Sequence, residues 1–150
     1  MKINLSKNKY ALVDDEDYEF LNQWKWSLYE SRYSYGYANR IMIVDGKRKF
    51  ISMSRLILNA PDHMFVDHIN HDTLDNRRSN LRLATRSQNL ANSRIRKSRA
   101  GFKGIDWYPR YQKWRVRVQS QHVGYFLNIE DAREAYINKA KEVFGEYHYA

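Results

Sequence analysis

Residues 66–92 read V-D-H-I-N-H-D-T-L-D-N-R-R-S-N-L-R-L-A-T-R-S-Q-N-L-A-N, which gathers Asp67, His68, Asn80 and Asn89 into one short segment with a polar loop between two apolar runs. A carboxylate from Asp67 and an amide oxygen from Asn89 are hard donors. They suit a small divalent cation such as Mg²⁺ (or Mn²⁺), which prefers oxygen and keeps several waters because it dehydrates reluctantly. His68 adjoins the proposed ligand Asp67 but points to the other side of an extended strand, so it is cast as a general base. With a reference pKa of about 6.5, much of an imidazole is neutral at pH 7 and able to take a proton from water. An ion held in this way could sit between the protein and a phosphate.

The elements that would position these groups can be read locally. Residues 65–69 form one strand, 70–79 a wide loop, 81–84 a second strand and 86–94 a helix. Thr85 and Gln88 have the T-x-x-Q spacing of a reciprocal helix cap. If strand, strand and helix fold over one another, Asn89 faces the strand end that carries Asp67 and His68.

The run D-H-I-N-x-D-x-L-D-N-R-R-x-N-L-R-x-x-T-x-x-x-N resembles the HNH endonucleases of the ββα-metal fold, in particular the free-standing or intron-encoded homing enzymes of phages. The resemblance implies Asp67 and Asn89 as metal ligands, His68 as base, and Asn80 as the residue that ties the loop down and orients His68. Two positions depart from the family pattern. Asn89 stands where many relatives have His, and His71 where a Gly is common. Taken singly, His71 and His63 read as solvated loop histidines, and the departure at His71 leaves open an approach to the metal or to a phosphate.

Length and composition set the outer limits. A chain of 150 residues with 43% hydrophobic and 15% aromatic content makes one ordinary domain or two small ones. With no Cys there are neither disulfides nor thiolate zinc sites. No apolar run approaches a membrane span and residues 1–10 carry no signal-peptide core, so a cytoplasmic protein with no membrane association is expected, in the host cell of a phage by the resemblance. The formal charge of +9 divides as +2 over residues 1–63, +2 over 64–95, +7 over 96–122 and −2 over 123–150. A cationic concentration of that kind marks a polyanion site, although a charge run is commonly just a solvated face.

The fold class expected is α+β. Before the motif lies a β-rich region: a strand at 10–13, an acidic-started helix at 14–24, a strand at 25–30, a hairpin of 34–44 and 48–52 around Asp45-Gly46, and a helical turn at 54–58. Trp24, Trp26, Tyr35, Tyr37, Ile41, Ile43, Phe50 and Ile51 are expected to supply its core, and the region to brace the first strand of the motif. Arg40, Lys47, Arg48 and Lys49 could add DNA-backbone contacts or simply be solvated.

Beyond a basic linker come strands at 104–108, 113–119 and 123–127 and a helix from Glu130 that ends at Gly145. In W-R-V-R-V-Q, alternation puts Trp114, Val116 and Val118 on one face and Arg115, Arg117 and Gln119 on the other. Three strands covered by one helix leave a cationic face of the size a DNA major groove admits. G-F-K-G-I-D-W-Y, K-W-R-V-R-V and V-G-Y-F-L-N-I-E-D-A-R-E-A-Y resemble the Apetala-two domain of plant ethylene-response factors, which phage homing endonucleases also carry. That resemblance covers residues 101–147 and implies base-reading positions at Asp106, Tyr108, Arg117, Gln119 and His122.

The expected organisation is therefore an HNH endonuclease domain over 1–95 (β region 1–62, ββα-metal motif 63–95), a basic linker over 96–102 and an Apetala-two-like DNA-binding domain over 103–150. The partner is double-stranded DNA. The chain would act as a monomer or a DNA-dependent dimer, nicking one strand or cutting both. Expected DNA contacts are Arg77, Arg78 and Arg86 in the motif, Arg96, Lys97 and Arg99 in the linker, and Tyr108, Arg110, Arg115, Arg117, Gln119 and His122 on the sheet. The rivals are a non-catalytic DNA-binding regulator on an HNH scaffold and, more weakly, an RNA-binding protein. The intact Asp67, His68, Asn80 and Asn89 set argues against the first, and the lack of an R-G-F-x-F aromatic signature against the second.

Overall fold

The computed structural model describes residues 1–31, 34–93 and 101–148. The fold is α+β, built from small antiparallel sheets and helices. By compactness the chain divides into two units, Met1–Arg86 and Ser87–Ala150.

In the first unit β1 (Lys2–Asn4) pairs with β2 (Tyr10–Leu12), and α1 (Asp15–Leu21) follows. The helix opens on the acidic turn Asp15, Glu16 and Asp17, which suits the positive end of its dipole. It ends three residues before Trp24, because after Leu21 the chain turns to bury Trp26. That indole is 1% exposed, and its N–H donates to the Leu21 carbonyl at 2.8 Å, so a large apolar ring is buried without orphaning its donor.

A meander of β3 (Ser27–Ser31), β4 (Ser34–Val44) and β5 (Lys47–Ser52) leads into the single helical turn α2 (Met53–Ile57). The Asp45-Gly46 turn forms as expected, both residues having positive φ. Of the expected core residues Trp26 is buried, but most of the core comes from other side chains. It is built from Ile3, Leu5, Ala11, Val13, Leu21, Trp26, Leu28, Ala38, Met53, Ile57 and Leu81, with Trp24 packed at its margin. Ile41, Ile43 and Phe50 are exposed, because the hairpin runs on past the strand that covers its base: β3 pairs with β4 only as far as Asn39. Tyr37 is also at the surface, and the side chain of Tyr35 lies outside the described residues.

The unit closes with β6 (Phe65–His68) antiparallel to β7 (Leu81–Ala84), which pairs Asp67 with Arg82 and His68 with Leu81. Between the two strands lies the wide loop. Its backbone is stitched to β2: Leu12 N–H donates to the Leu74 carbonyl and Asn76 N–H to the Leu12 carbonyl, each at 2.8 Å. The N-terminal region thus braces the loop of the motif through these bonds.

Helix α3 (Arg86–Asn92) starts directly after Thr85 and lies, from Ser87 on, in the second unit. There β8 (Ile105–Tyr108), β9 (Lys113–Val118) and β10 (Gln121–Phe126) form a sheet of order β10-β9-β8, and α4 (Ile129–Phe144) packs on it. The alternation of W-R-V-R-V decides the faces: Val116 and Val118 are buried and Trp114 packs against the core of Ile105, Val116 and Ala132. The β9–β10 turn is tighter than its sequence suggests. Gln119 and Ser120 both take positive φ, so the third strand begins at Gln121. Gly104 has positive φ, and a side chain there would run into the Arg117 carbonyl. No helix among the described residues is long and apolar enough to cross a membrane.

Candidate nuclease site and nucleic-acid face

At the end of β6 the chain places two buried polar side chains side by side, Asp67 at 5% exposure and His68 at 6%. Asp67 Oδ2 accepts from Nε of Arg82 at 2.9 Å, an ion pair between groups that are both largely shielded. The ladder register makes this pair, since Arg82 stands opposite Asp67 on β7. His68 Nε2 lies 3.2 Å from Oδ1 of Asn76, and its ring centroid is 6.2 Å from that of Tyr37 on β4. Burial pushes the imidazole below its ordinary value of 6.5, against the pull of the Asn76 hydrogen bond and of the charges of Asp67, Asp72 and Asp75. Such a histidine is neutral at pH 7. The Tyr37 phenol is pushed up by burial and by the Asp67 charge, so it stays protonated.

The loop around this pair is a hydrogen-bonded frame. Asn80 accepts from the Asn70 N–H at 2.9 Å and donates to the Asp75 carbonyl at 2.8 Å, while its own carbonyl accepts from the Ile69 N–H at 3.0 Å. It clamps the two ends of the loop together, and the imidazole is held by Asn76. Asn70 and Asp72 add side-chain turns of their own by accepting from the N–H two residues on, at 2.8 and 3.0 Å. His71 has a φ of 63°, the left-handed region, which accounts for a position where glycine is common in the family it resembles.

The arginines of the motif hold the protein together. Arg77 is bidentate to the buried Asp75, both contacts at 2.7 Å, and holds that carboxyl below its ordinary value of 3.8. Arg78 pairs with Asp17 at 2.6 and 2.9 Å and with Glu16 at 2.9 Å, and its backbone N–H donates to Asp14 at 2.7 Å, so the acidic start of α1 is tied to the loop. Arg86 is the last residue of the first unit.

Among the described residues no three His, Cys, Asp or Glu side chains gather as a metal cage. The donor set read from the sequence, one carboxylate and one amide, is a different chemistry, and a buried carboxylate at Asp67 fits a hard cation that keeps most of its waters. Asn89 lies on α3 in the second unit.

In the second unit the outer sheet face carries the expected cations, with a carboxylate among them. Asp106 accepts from Arg115 at 2.7 and 3.3 Å and from Arg117 at 3.3 Å. Arg115 also lies 4.8 Å over the Tyr108 ring, and Arg110 5.9 Å from that of Tyr111. Tyr108, Tyr111 and Tyr125 form a ring cluster with centroids 4.9–5.5 Å apart, joined by His122 at 4.6 Å from Tyr125. Gln119 sits in the turn and donates to the Ser87 hydroxyl at 2.7 Å. Arg96, Lys97 and Arg99 lie outside the described residues.

The sequence reading missed Asn76, Arg82, Tyr37, Tyr111 and Tyr125. Asn76 lies inside the run that was singled out, and Arg82 follows from the register once the hairpin is known. Tyr37 carried no signal, being one strand tyrosine among several.

A family model described as HNH endonuclease matches residues 59–91, which span β6, the loop, β7 and most of α3. A protein of Acanthamoeba polyphaga mimivirus named as the uncharacterized HNH endonuclease L560 is 30% identical over 145 residues, covering 94% of this chain and 74% of its own. The chain belongs to the HNH endonuclease family. No solved structure matches it significantly. Membership makes this HNH protein a nuclease in kind, and His68, Asn76 and Asn80 all fall within the matched segment.

Proposed function

We propose that this HNH protein is a divalent-metal-dependent endonuclease of the homing type that hydrolyses phosphodiester bonds in double-stranded DNA. The observation that carries the proposal is the buried His68 imidazole, held below its ordinary pKa with Nε2 against the amide oxygen of Asn76. An amide oxygen only accepts, so Nε2 carries the proton and Nδ1 the lone pair. His68 takes a proton from a water at Nδ1 as that water attacks phosphorus in line with the leaving 3′-oxygen. Asn80 keeps the loop closed behind the base. Asp67 and Asn89 are the residues that would hold Mg²⁺ or Mn²⁺, and such an ion supplies Lewis-acid stabilisation of the charge developing on the phosphate oxygens, worth several kcal/mol.

The sheet and helix of the second unit would act as the DNA-binding module, over 103–150 after a basic linker at 96–102, with 1–95 as the nuclease domain. Its support is a three-stranded sheet backed by one helix, as in the Apetala-two architecture, with Arg110, Arg115, Arg117, Tyr108, Gln119 and His122 on the outer face and turn. Supercoiled plasmid incubated with Mg²⁺ should be converted to nicked or linear form, and EDTA should stop the conversion. Binding without any conversion in Mg²⁺ or Mn²⁺ would favour a DNA-binding regulator on an HNH scaffold.

A further inference from the structure

The outer half of the β4–β5 hairpin is exposed throughout: every residue from 41 to 50 is solvent-accessible although all but the two turn residues lie in strand. Ile41 (54% exposed), Ile43 (72%) and Phe50 (57%) lie on one face, and Met42 and Val44 on the other. A hairpin of two strands is marginal by itself in water, and a contiguous apolar patch of this kind marks an interaction site. The pairing shows what kind of surface it meets. Met42 stands opposite Lys49, Ile43 opposite Arg48 and Val44 opposite Lys47, so one strand is apolar and the other cationic.

The charges are placed unlike the other arginines near the candidate site. Arg77, Arg78 and Arg82 are all engaged with carboxylates. Among the described residues, Lys47, Arg48 and Lys49 make no ion pair. Three cations in a row on an exposed ribbon are complementary to a phosphate backbone, and the major groove admits a two-stranded β-ribbon. The ribbon also belongs to the strand that passes the candidate base, for Tyr37 of β4 has its ring 6.2 Å from His68. Ile43 lies six residues further along, about 20 Å at the rise of a strand, which is about six base pairs of duplex.

We propose that the β4–β5 ribbon is a DNA contact that enters a groove of the duplex about six base pairs from the phosphate at His68, with Lys47, Arg48 and Lys49 on phosphates and Ile43 against base edges. Only the position relative to the cut rests on the nuclease reading; the binding does not.

The test measures binding of the full chain to a labelled duplex of roughly 40 base pairs over a salt series in EDTA. The variants are the triple Lys47→Ala, Arg48→Ala, Lys49→Ala and the single Ile43→Ser, their folding checked by circular dichroism. The triple variant should reduce the log K against log salt slope by about 2 to 3, at roughly 0.9 for each phosphate lost. Ile43→Ser should weaken binding about tenfold and keep the slope, since it removes an apolar contact and no charge. Unchanged affinity and slope in both variants would overturn the proposal. So would a wild-type dimer in sedimentation that Ile43→Ser converts to monomer with DNA binding intact, because the apolar face would then seat a second copy. Plasmid nicking is scored separately: a wild type that never nicks while the variants lose affinity refutes the nuclease reading and supports the ribbon.

Discussion

Nε2 of His68 lies 3.2 Å from Oδ1 of Asn76, inside a loop whose ends are closed by Asn80. Asn76 Nδ2 faces the Leu74 carbonyl at 3.4 Å, and this contact turns the amide oxygen toward the imidazole. In the proposed mechanism Asn76 selects the tautomer in which Nδ1 accepts a proton. Replacing it with leucine should slow cleavage about 10- to 100-fold with DNA affinity unchanged, whereas Asn76→Asp, which can still accept from Nε2, should recover part of the loss. Imidazole ¹⁵N shifts of His68 should show Nε2–H in the wild type and a tautomer mixture in Asn76→Leu. A wild-type spectrum dominated by Nδ1–H would contradict the assignment.

His68→Ala should reduce cleavage by about 10²- to 10⁴-fold and leave DNA binding in place, since the proposed base would act only in the chemical step. Burial holds the imidazole below 6.5, so the neutral form is retained at pH 7 and the rate should fall only as pH drops through that lowered value. An acid limb centred above pH 7, or one that persists in His68→Ala, would point to another base.

Asp67→Ala and Asn89→Ala should weaken the dependence on metal. Titration calorimetry of Mg²⁺ or Mn²⁺ into the DNA complex checks this, and heats identical to wild type in both variants would remove them as ligands. Asp67→Ala should also destabilise the protein, because Arg82 loses the carboxylate that it meets at 2.9 Å. Asn89→Ala carries no such penalty from Arg82, and is the cleaner probe.

The Asp75–Arg77 pair makes a pH-dependent contribution to stability. Arg77 lowers the Asp75 pKa beneath 3.8, so the stabilisation is fully present above that value and is lost as pH falls through the lower folded-state pKa. Asp75→Asn should cost about 1–3 kcal/mol at pH 7, and the gap to wild type should close as pH falls through the lowered pKa of Asp75. Denaturant melts at pH 7 and at low pH measure it; a gap independent of pH would mean the carboxylate charge is not the cause.

On the sheet, Arg115→Ala with Arg117→Ala should lower the salt slope of DNA binding by about 2 if both guanidinium groups reach phosphates. An unchanged slope would leave Asp106 as their only partner and the face merely solvated.

The sequence by itself determined which residues form the motif and where its elements begin. The spacing of Asp67, His68, Asn80 and Asn89 is a local pattern, as are the D-G turn and the alternation of W-R-V-R-V, and the strands at Phe65–His68, Leu81–Ala84 and Lys113–Val118 follow from period and punctuation within a few residues. Tertiary structure alone decided what each polar group touches. Asn76 rather than a more distant residue holds the imidazole because Leu12 grips the loop backbone at Leu74 and Asn76, a contact between segments more than sixty residues apart. It also decided which apolar strand residues are core. Ala38 is buried and Ile43 is bare on one and the same strand, since only the base of that hairpin has β3 beside it, and no alternation in the sequence records where a covering strand stops.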